Sequence, residues 1–258
     1  MLTGMTERDW LVALEVFDAV QSSRGEPGHD DRKFLEAIHY FTVHSITWRA
    51  LPKEFGKWNS VWKRFWRLSR SGVFEAFFQG LSECSETAHL IQFFDSTTAR
   101  AHVSAAGAKG GSSIRLSADR AAATKIHLKT DLDGHPLDFH LTPGEASDST
   151  QFETSLDIGP DIRPRIAVTD KGYDSDANRA AALARGITPV IPRRENSKQR
   201  GRFFPKRLYK LRARIEQTIG KLKRFKRVAM RCEKTDISYS AIISFACGLM
   251  LVKSVHTA

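Results

Sequence analysis

A tight turn between two short alternating segments is the feature that most restricts how this chain can fold. Asp133-Gly134 separates Lys125 to Thr130 from Pro136 to Thr142, and this pattern is typical of a β-hairpin. A short apolar run from Leu90 to Phe94 precedes the hairpin and predicts a further strand. Three strands in succession indicate that the middle of the chain is built on a sheet.

Helices and strands alternate after the hairpin. We predict a helix over Ser149 to Leu156, a strand over Arg165 to Thr169, and a helix over Asp176 to Arg185 that Gly186 closes. A short strand is predicted over Thr188 to Ile191. This order predicts an α/β fold of the α+β kind, in which helices pack on a mixed sheet.

The chain is predicted to be helical on both sides of this sheet. Residues from Pro205 onward have helical patterning, and the first ninety residues place aromatic side chains at helical spacing. These aromatic residues either pack in a core or stack on nucleic acid. The second alternative stays open because cations stand between the aromatic residues in the sequence. The aromatic residues are Trp58, Trp62, Phe65, Trp66, Phe74, Phe77 and Phe78, and the cations are Lys57, Lys63, Arg64, Arg67 and Arg70.

The net charge points to a polyanionic partner. The 258 residues carry 40 Lys and Arg against 29 Asp and Glu, which gives a formal charge of +11 and a pI near 9.8. Such a field attracts nucleic acid first and an anionic membrane surface second. From Arg193 to Lys234 there are 17 cations against Glu195, Glu216 and Glu233. We therefore predict that this segment tracks phosphates, rather than forming an ordinary solvated face.

Two further features exclude other classes of protein. The longest apolar run, Ala241 to Val252, has 12 residues and includes Ser244 and Gly248. It is too short to span a bilayer, so it predicts a core helix, and we expect no membrane partner. The 3 cysteines are odd in number and lack paired metal-ligand spacing. They exclude a disulfide framework and a zinc site, and they fit a cytoplasmic protein.

Two aspartates directly follow predicted strands. Asp95 comes after Ile-Gln-Phe-Phe, and Asp170 comes after Ile-Ala-Val-Thr. A carboxylate at the carboxyl end of a strand points into the crevice where sheet enzymes carry out their chemistry. Phosphodiester cleavage with two metal ions needs several such carboxylates, and Mg²⁺ accepts them as ligands. Either aspartate could instead be a turn former or a helix cap.

A third carboxylate lies on a predicted amphipathic helix. At about 100° per residue, Tyr209, Arg212, Glu216 and Lys223 fall within roughly 60° of one another. Glu216 is the single acid on this polar face, which otherwise carries cations. The alternative is an ordinary ion pair between Arg212 and Glu216, four residues apart. The apolar stripe that would bury against the body consists of Leu211, Ile215, Ile219 and Leu222.

These residues resemble the signature of a known enzyme family. The order Tyr209-x2-Arg212-x3-Glu216-x6-Lys223 is similar to the Y-R-E-K motif of DDE-type insertion-sequence transposases. Asp170-Lys171-Gly172-Tyr173 resembles the segment that carries their second acid, and Phe94-Asp95-Ser96-Thr97 the segment that carries the first. The resemblance runs from about Asp30 to Arg231 and is nearest to the insertion-sequence-five family. Upstream it includes Thr47 to Pro52, Phe55 to Asn59, Arg64-Phe65 and Ser69 to Val73.

The resemblance implies a fold and a chemistry. Residues 89–258 would form an RNase H-like catalytic domain that ends in basic helices, and residues 1–88 a helical region that binds DNA. Asp95, Asp170 and Glu216 would hold two Mg²⁺ or Mn²⁺ ions. Water would attack the ends of the element, and the freed 3′-hydroxyls would then attack target DNA.

The expected partner is double-stranded DNA, at the terminal inverted repeats of the element and at the target. Because two ends must be brought together, we expect a homodimer or a larger assembly in the bacterial cytoplasm. The residues expected to contact DNA are Tyr209, Arg212, Lys223, Arg224, Lys226 and Arg227.

One segment departs from the family pattern. Ser117 to Ala123 stands where members carry a Gly-Arg-Ser-Arg-Gly-Gly-like stretch, and we hypothesise a local compensated frameshift. Two alternatives to an active transposase therefore stay open. One is a non-catalytic DNA-binding descendant, and the other is an RNase H-like nuclease without a joining step.

Overall fold

The chain divides into two compact units. A computed structural model describes residues 4–21, 30–105, 123–195 and 204–254. The unusual segment Ser117 to Ala123 lies outside the described residues, except for its last position. Unit 1 comprises Met1–Leu81, Ala99–Ala122 and Lys221–Ala258, and unit 2 comprises Ser82–Thr98 and Ala123–Gly220.

Helices dominate the described part of the chain, with short strands grouped in its middle. The helices are α1 (Glu7–Val20), α2 (Asp31–His44), α3 (Trp58–Arg70), α4 (Val73–Ser82), α5 (Asp148–Asp157), α6 (Asp176–Ala184), α7 (Lys206–Lys210), α8 (Ala213–Leu222), α9 (Lys226–Ala229) and α10 (Asp236–Ser254). The strands are β1 (Ile91–Ala101), β2 (Ala123–Thr130), β3 (Pro136–Pro143), β4 (Ile166–Val168), β5 (Thr188–Val190) and β6 (Met230–Arg231). Short 3₁₀ helices cover Trp48–Ala50, Lys53–Phe55, Val103–Ala105 and Lys171–Tyr173.

The sheet of unit 2 has the strand order β3-β2-β1-β4-β5. β2 and β3 pair antiparallel, whereas β1, β4 and β5 run parallel. The predicted hairpin is confirmed, and Gly134 in its turn has a φ of 83°, which glycine adopts without strain. The predicted mixed α/β fold is also confirmed.

One predicted strand boundary is wrong. The strand predicted over Leu90 to Phe94 continues to Ala101, so Asp95 lies inside β1 and not at its end. Two causes extend the strand. Ser96-Thr97-Thr98 is prone to β structure, and the last residues, Arg100 and Ala101, belong to unit 1 and pair there with β6.

Apolar clusters cover both faces of the sheet in unit 2. Phe93 and Phe94 are consecutive, so they point to opposite faces. Phe94 packs in a cluster with Phe152 of α5 and Ala182 of α6. Phe93 packs in the other cluster, with Val168 of β4 and Ile215 of α8. The predicted apolar stripe of α8 therefore faces the sheet, and this fixes which side of the sheet the helix covers.

Unit 1 is a helical bundle closed by α10. By length and composition this helix could cross a membrane, with a mean hydropathy of 1.5, yet 67% of that stretch is buried inside the protein. Phe245 contacts Phe74 and Phe77 of α4, and Gly248 leaves room for the Phe77 ring. Ala241 to Val252 is therefore part of a core helix, as predicted. The unit joins N-terminal and C-terminal segments of the chain, and the expected division into a DNA-binding region 1–88 and a catalytic domain 89–258 stays a prediction.

Candidate active site

Asp95 lies in β1, and Asp170 lies two residues past the end of the neighbouring strand β4. Phe93 in β1 is paired with Val168 in β4. Asp95 comes two residues after Phe93, and Asp170 comes two residues after Val168. Side chains two residues apart in an extended chain point to the same face, so both aspartates point to the face of the Phe93–Val168 pair. Neighbouring strands are about 4.8 Å apart. The sheet therefore brings the two carboxylates together on the face that α8 covers.

The loop that carries Asp170 is fixed by short contacts. The Asp170 carboxylate accepts a hydrogen bond of 2.7 Å from the backbone N–H of Gly172. A β-carbon at residue 172 would stand 2.9 Å from Asp170 Oδ1, so any other residue there would force the Asp170 carboxylate to shift. Tyr173 is buried against Phe152, and Asp174 accepts a 2.6 Å hydrogen bond from Arg179. The carboxylate of Asp170 is thus held in one position.

Glu216 and Asp95 are linked through one guanidinium group. Arg212 Nη2 donates to Asp95 Oδ2 at 2.7 Å, and Arg212 Nη1 donates to Glu216 Oε1 at 2.5 Å. The side chains of Asp95 and Arg212 are 14% and 17% exposed, whereas that of Glu216 is 56% exposed. The structure therefore contains the ion pair that was the simpler explanation for Glu216, and the same pair draws Glu216 toward Asp95.

The surroundings of Asp95 have opposing effects on the pKa of its carboxyl group. Burial raises the pKa of the Asp95 carboxyl most, and the nearby Asp170 and Glu216 raise it further, while Arg212 and the Ser96 N–H lower it. Burial lowers the pKa of Arg212, but Asp95, Glu216 and Asp170 outweigh that effect and raise it. Three acids thus share the field of one cation, and their mutual repulsion is only partly neutralised.

This donor set suits a hard divalent cation by its chemistry. Mg²⁺ is held by one or two carboxylates together with water and substrate phosphate, and Asp95 beside Asp170 provides such a pair. In the ranges that the structure describes, no three His, Cys, Asp or Glu side chains are arranged to hold one metal ion together. Glu216 is turned toward Arg212, and it would have to leave that contact to complete a three-carboxylate site.

The predicted single helix that carries Tyr209, Arg212, Glu216 and Lys223 is interrupted twice. α7 ends at Lys210 and α8 ends at Leu222, so Lys223 lies in the turn that follows α8. Tyr209 is half-buried, packs against the cluster around Ile215 and contacts Phe204 edge to face. The expected common polar face therefore holds only for Arg212 and Glu216.

The expected DNA-contacting cations differ in exposure. Lys223, Arg224 and Lys226 are exposed, which suits contact with phosphates. Arg227 is buried and donates to Glu233 at 2.5 Å and to the backbone carbonyl of Ile46 at 2.6 Å. The predicted phosphate contact of Arg227 is therefore wrong, because its charge is already neutralised inside unit 1.

Other polar residues around the site were not singled out from the sequence. Ser96 donates to Asp148 at 2.7 Å, and Lys125 lies 3.2 Å from the same carboxylate oxygen. The Thr218 hydroxyl, which is buried, donates to the backbone carbonyl of Gly134 and so attaches α8 to the hairpin turn. Lys125 lies in the largely buried strand β2, and a lysine at such a position could have indicated the contact with Asp148. Thr218 gave no signal, because a threonine in a helix is ordinary.

Two family models match consecutive parts of the chain. The model described as a transposase DDE domain matches residues 86–251. A second model, assigned to transposases of the IS4/5 family, matches residues 5–78. Together they cover all three carboxylates and the N-terminal helices.

Two individual relatives from bacteria agree with these matches. The chain is 33% identical over 150 residues to the transposase assigned to insertion sequence element IS402 of Burkholderia cepacia, covering 54% of this chain and 68% of that protein. It is 33% identical over 131 residues to the transposase assigned to IS6501 of Brucella ovis, covering 50% of this chain and 98% of that protein. The solved Mos1 mariner paired end complex with Mn is similar at 13% identity and a TM-score of 0.28, covering 85% of each chain.

Proposed function

Because this chain belongs to the transposases with a DDE domain, within the IS4/5 group, we propose that Asp95, Asp170 and Glu216 are its catalytic carboxylates. It is an enzyme that cleaves DNA and transfers the cut strand to a new site. The proposal concerns which residues carry out these two steps, and with which ions and partners.

One observation supports the choice of residues above the others. The parallel pairing of β1 with β4 juxtaposes two aspartates, and Arg212 binds the first aspartate and Glu216 at once. A cluster of three acids around a single arginine is costly unless a cation is to be held there, since like charges repel strongly at a half-buried site. Asp170 does cap the short helix Lys171–Tyr173, but a cap alone would not need to lie beside two further acids.

Members of this family depend on divalent metal ions. We propose two Mg²⁺ or Mn²⁺ ions here, with Asp95 and Asp170 as the main ligands and Glu216 completing the site from α8. Such ions supply a nucleophilic hydroxide from water and polarise the phosphate.

The other residues position the substrate. Gly172 and Tyr173 hold Asp170 at the end of β4, so its carboxylate needs no rearrangement before the reaction. Arg212 presents a planar fork of donors that suits a phosphate as well as a carboxylate. When Glu216 turns away, Arg212 is available to hold the cleaved phosphodiester. The exposed Lys223, Arg224 and Lys226 extend this phosphate contact along the DNA.

DNA is the partner of this enzyme, and we propose which DNA and in what assembly. The substrate would be duplex DNA at the terminal inverted repeats of its own element, and then duplex target DNA. Both ends must be held while they are joined, so we propose a homodimer or larger assembly, acting in the bacterial cytoplasm.

The test uses linear DNA that carries the terminal repeats of the element, with Mg²⁺. Asp170→Asn keeps the shape of the side chain and removes the charge that a hard cation requires. We expect it to bind the repeats as the wild type does and to neither cut nor join. Asp161→Asn, an exposed aspartate away from the cluster, is the matched control and should retain both steps.

Three outcomes decide between the functions. Normal cleavage by Asp170→Asn would remove that residue from the catalytic set. Cleavage without joining by the wild type would identify a nuclease that lacks a transfer step. Binding without either reaction would identify a DNA-binding descendant.

A further inference from the structure

The aromatic residues of the N-terminal helices divide between the two expected roles, because the phenylalanines pack in the core and three tryptophans of α3 stay exposed in a row. Trp58, Trp62 and Trp66 are 37%, 37% and 48% exposed, whereas Phe65 in the same helix is buried. A spacing of four residues places the three rings in one row, about 6 Å apart along the helix. Large apolar side chains that stay in water together mark interaction surfaces more often than single exposed ones do.

Cations lie on the arc of α3 next to this row. Lys63, Arg67 and Arg70 are exposed, and α3 contains no acid. The Arg70 guanidinium lies 4.9 Å from the centre of the Trp66 ring, and the Arg49 guanidinium lies 5.9 Å from that of Trp58. The exposed surface of α3 is thus divided into an aromatic ridge and a cationic ridge, with arginine at the border between them.

A cavity of about 400 Å³ adjoins the cationic ridge in the same unit. Its cations outnumber its acids five to one, so an anionic group is the favoured occupant. Arg64, one of these cations, is already bound to Asp31, and the other four are exposed. The cations are Lys33, Lys57, Lys63, Arg64 and Arg67, and the acid is Asp30.

The chemistry of this surface selects among anionic partners. A second copy of the chain that met it face to face would bring two sets of cations together, which is unfavourable. Duplex DNA hides the faces of its bases and offers groove edges, which are read by donors and acceptors, but tryptophan has a single N–H donor. Unpaired DNA exposes both phosphates and base faces.

We propose that the α3 surface, formed by Trp58, Trp62 and Trp66 with Lys63, Arg67 and Arg70, binds single-stranded DNA. Bases stack on the indole rings while the phosphates lie along the cationic ridge, the combination by which proteins bind single strands without sequence preference. The proposal rests on the proposed function only in that DNA is the partner. A transposase meets unpaired strands wherever a cut end opens.

The test measures binding of the full chain to a labelled oligothymidylate, which forms no duplex, by fluorescence anisotropy. EDTA is present, so cleavage does not enter the result. The triple variant Trp58→Leu, Trp62→Leu, Trp66→Leu keeps an apolar row but cannot stack. We expect its affinity for the oligonucleotide to fall by more than about a hundredfold, since three lost stacks at roughly 1–3 kcal/mol each sum to at least about 3 kcal/mol. The corresponding triple Phe variant retains stacking and should stay within about threefold of the wild type.

Controls separate stacking from loss of apolar surface and from catalysis. Leu11→Ala removes an exposed apolar side chain of the same unit, which is 65% exposed, and should bind the oligonucleotide normally. Asp170→Asn should also bind it normally. If that variant still cut DNA, the catalytic assignment would fail while this proposal stood.

Three results would overturn the proposal. The first is unchanged oligonucleotide binding by the folded Leu variant, checked by circular dichroism. The second is an equal loss of affinity for a blunt duplex of the same length, which would make α3 a duplex-binding surface. The third is retained oligonucleotide binding with loss of binding to anionic phosphatidylserine vesicles, which would make it a membrane contact.

Discussion

Arg212 compensates two carboxylates with one charge, and the shape of its side chain makes this possible. Its guanidinium reaches Asp95 with one nitrogen and Glu216 with another, at 2.7 and 2.5 Å. A lysine ammonium is a single point charge and cannot span two acids with the same geometry. The pairing of Arg212 with Glu216 could be anticipated from their spacing on a helix. The contact with Asp95 could not, because 117 residues separate the two.

Replacing Arg212 by glutamine should make the site depend more strongly on metal. Without the cation, repulsion among Asp95, Asp170 and Glu216 is unopposed, and we expect Arg212→Gln to lose about 2 kcal/mol of stability in EDTA. Millimolar Mg²⁺ should then raise its melting temperature more than that of the wild type. Differential scanning calorimetry with and without Mg²⁺ measures both effects.

Arg185→Gln is the matched control for this variant. Arg185 also bridges two carboxylates, Glu153 and Asp157, but both are largely exposed. A surface pair of this kind contributes less than about 1 kcal/mol. The melting temperature of Arg185→Gln should therefore respond to Mg²⁺ as the wild type does. Equal responses in all three proteins would contradict the role given to Arg212.

Gly172 should help to set the position of the Asp170 carboxylate. A methyl group at residue 172 would stand 2.9 Å from Asp170 Oδ1, so the carboxylate or the loop must move in Gly172→Ala. We expect DNA cleavage to fall at least about tenfold, because small displacements of a positioned group are costly. DNA binding should not change. Gly220→Ala is the control, since nothing lies within 4 Å of its added carbon. If Gly220→Ala cleaved DNA as slowly as Gly172→Ala, the role given to Gly172 would be contradicted.

Whole elements were predicted where the pattern is local. The hairpin, α5 and α6 follow from turn residues and periodicity, and they were found within a few residues of their predicted bounds. The break between α7 and α8 was not foreseen, because Leu211 and Arg212 are ordinary helix formers. That break depends on tertiary contacts, in which Tyr209 and Leu211 both pack against the cluster around Ile215.

The hairpin also buries a pair of histidines that only its register brings together. His127 in β2 is paired with His140 in β3, and their rings stack 4.6 Å apart at 9°. Burial lowers the pKa of His127 to about 4, the neighbouring His140 and Lys125 favour the same direction, and Asp148 opposes them. Burial also lowers the pKa of His140. The folded hairpin therefore favours neutral rings.

This pair should make the protein less stable in acid. Because the folded pKa of His127 lies below its unfolded value of 6.5, its contribution is complete above pH 6.5. It is lost as the pH falls toward 4, to a total of about 3 kcal/mol. His127→Gln can still hydrogen-bond to Thr142 and does not titrate. Urea unfolding at several pH values between 7 and 4 should show a shallower decline for this variant.

The exposed His89 supplies the control for this experiment. His89→Gln should unfold with the pH dependence of the wild type. Identical slopes for the wild type and His127→Gln would mean that the hairpin tolerates a charged ring, and that other groups cause the loss of stability in acid.

At the scale of the whole molecule, charge was predictable and the division into units was not. The charge of +11 is a property of composition alone. Unit 1, by contrast, is assembled from three separate segments of the chain. Its closing contacts join Phe77 to Gly248 and Phe41 to Arg227, and nothing in the local sequence around these residues indicates their partners.

The salt dependence of DNA binding should report how much of this charge meets phosphates. We expect the triple variant Lys223→Ala, Arg224→Ala, Lys226→Ala to flatten the log–log slope of affinity against salt by up to about 3 units, at roughly 0.9 per phosphate. Arg227 is left in place, because removing it would break a buried ion pair with Glu233. Filter binding to a duplex between low and moderate salt gives the slope.

Gln217→Ala, at an exposed position of α8, controls for the substitution itself and should leave the slope unchanged. If the triple variant also keeps the wild-type slope while folded, this turn is a solvated face. The counterions would then be displaced elsewhere on the protein.

Because unit 1 is made of segments far apart in the sequence, its core cannot be completed until late in synthesis on the ribosome. Its first four helices emerge early, but α10, whose Phe245 covers Phe74 and Phe77, follows about 150 residues after α4 ends. At a translation rate of about 5–20 residues per second, the rings of Phe74 and Phe77 stay without their contact to α10 for roughly 8 to 30 s. A nascent chain is thus a client for chaperones during most of its translation. A copy shortened by a premature stop codon never buries this surface and becomes a substrate for proteases.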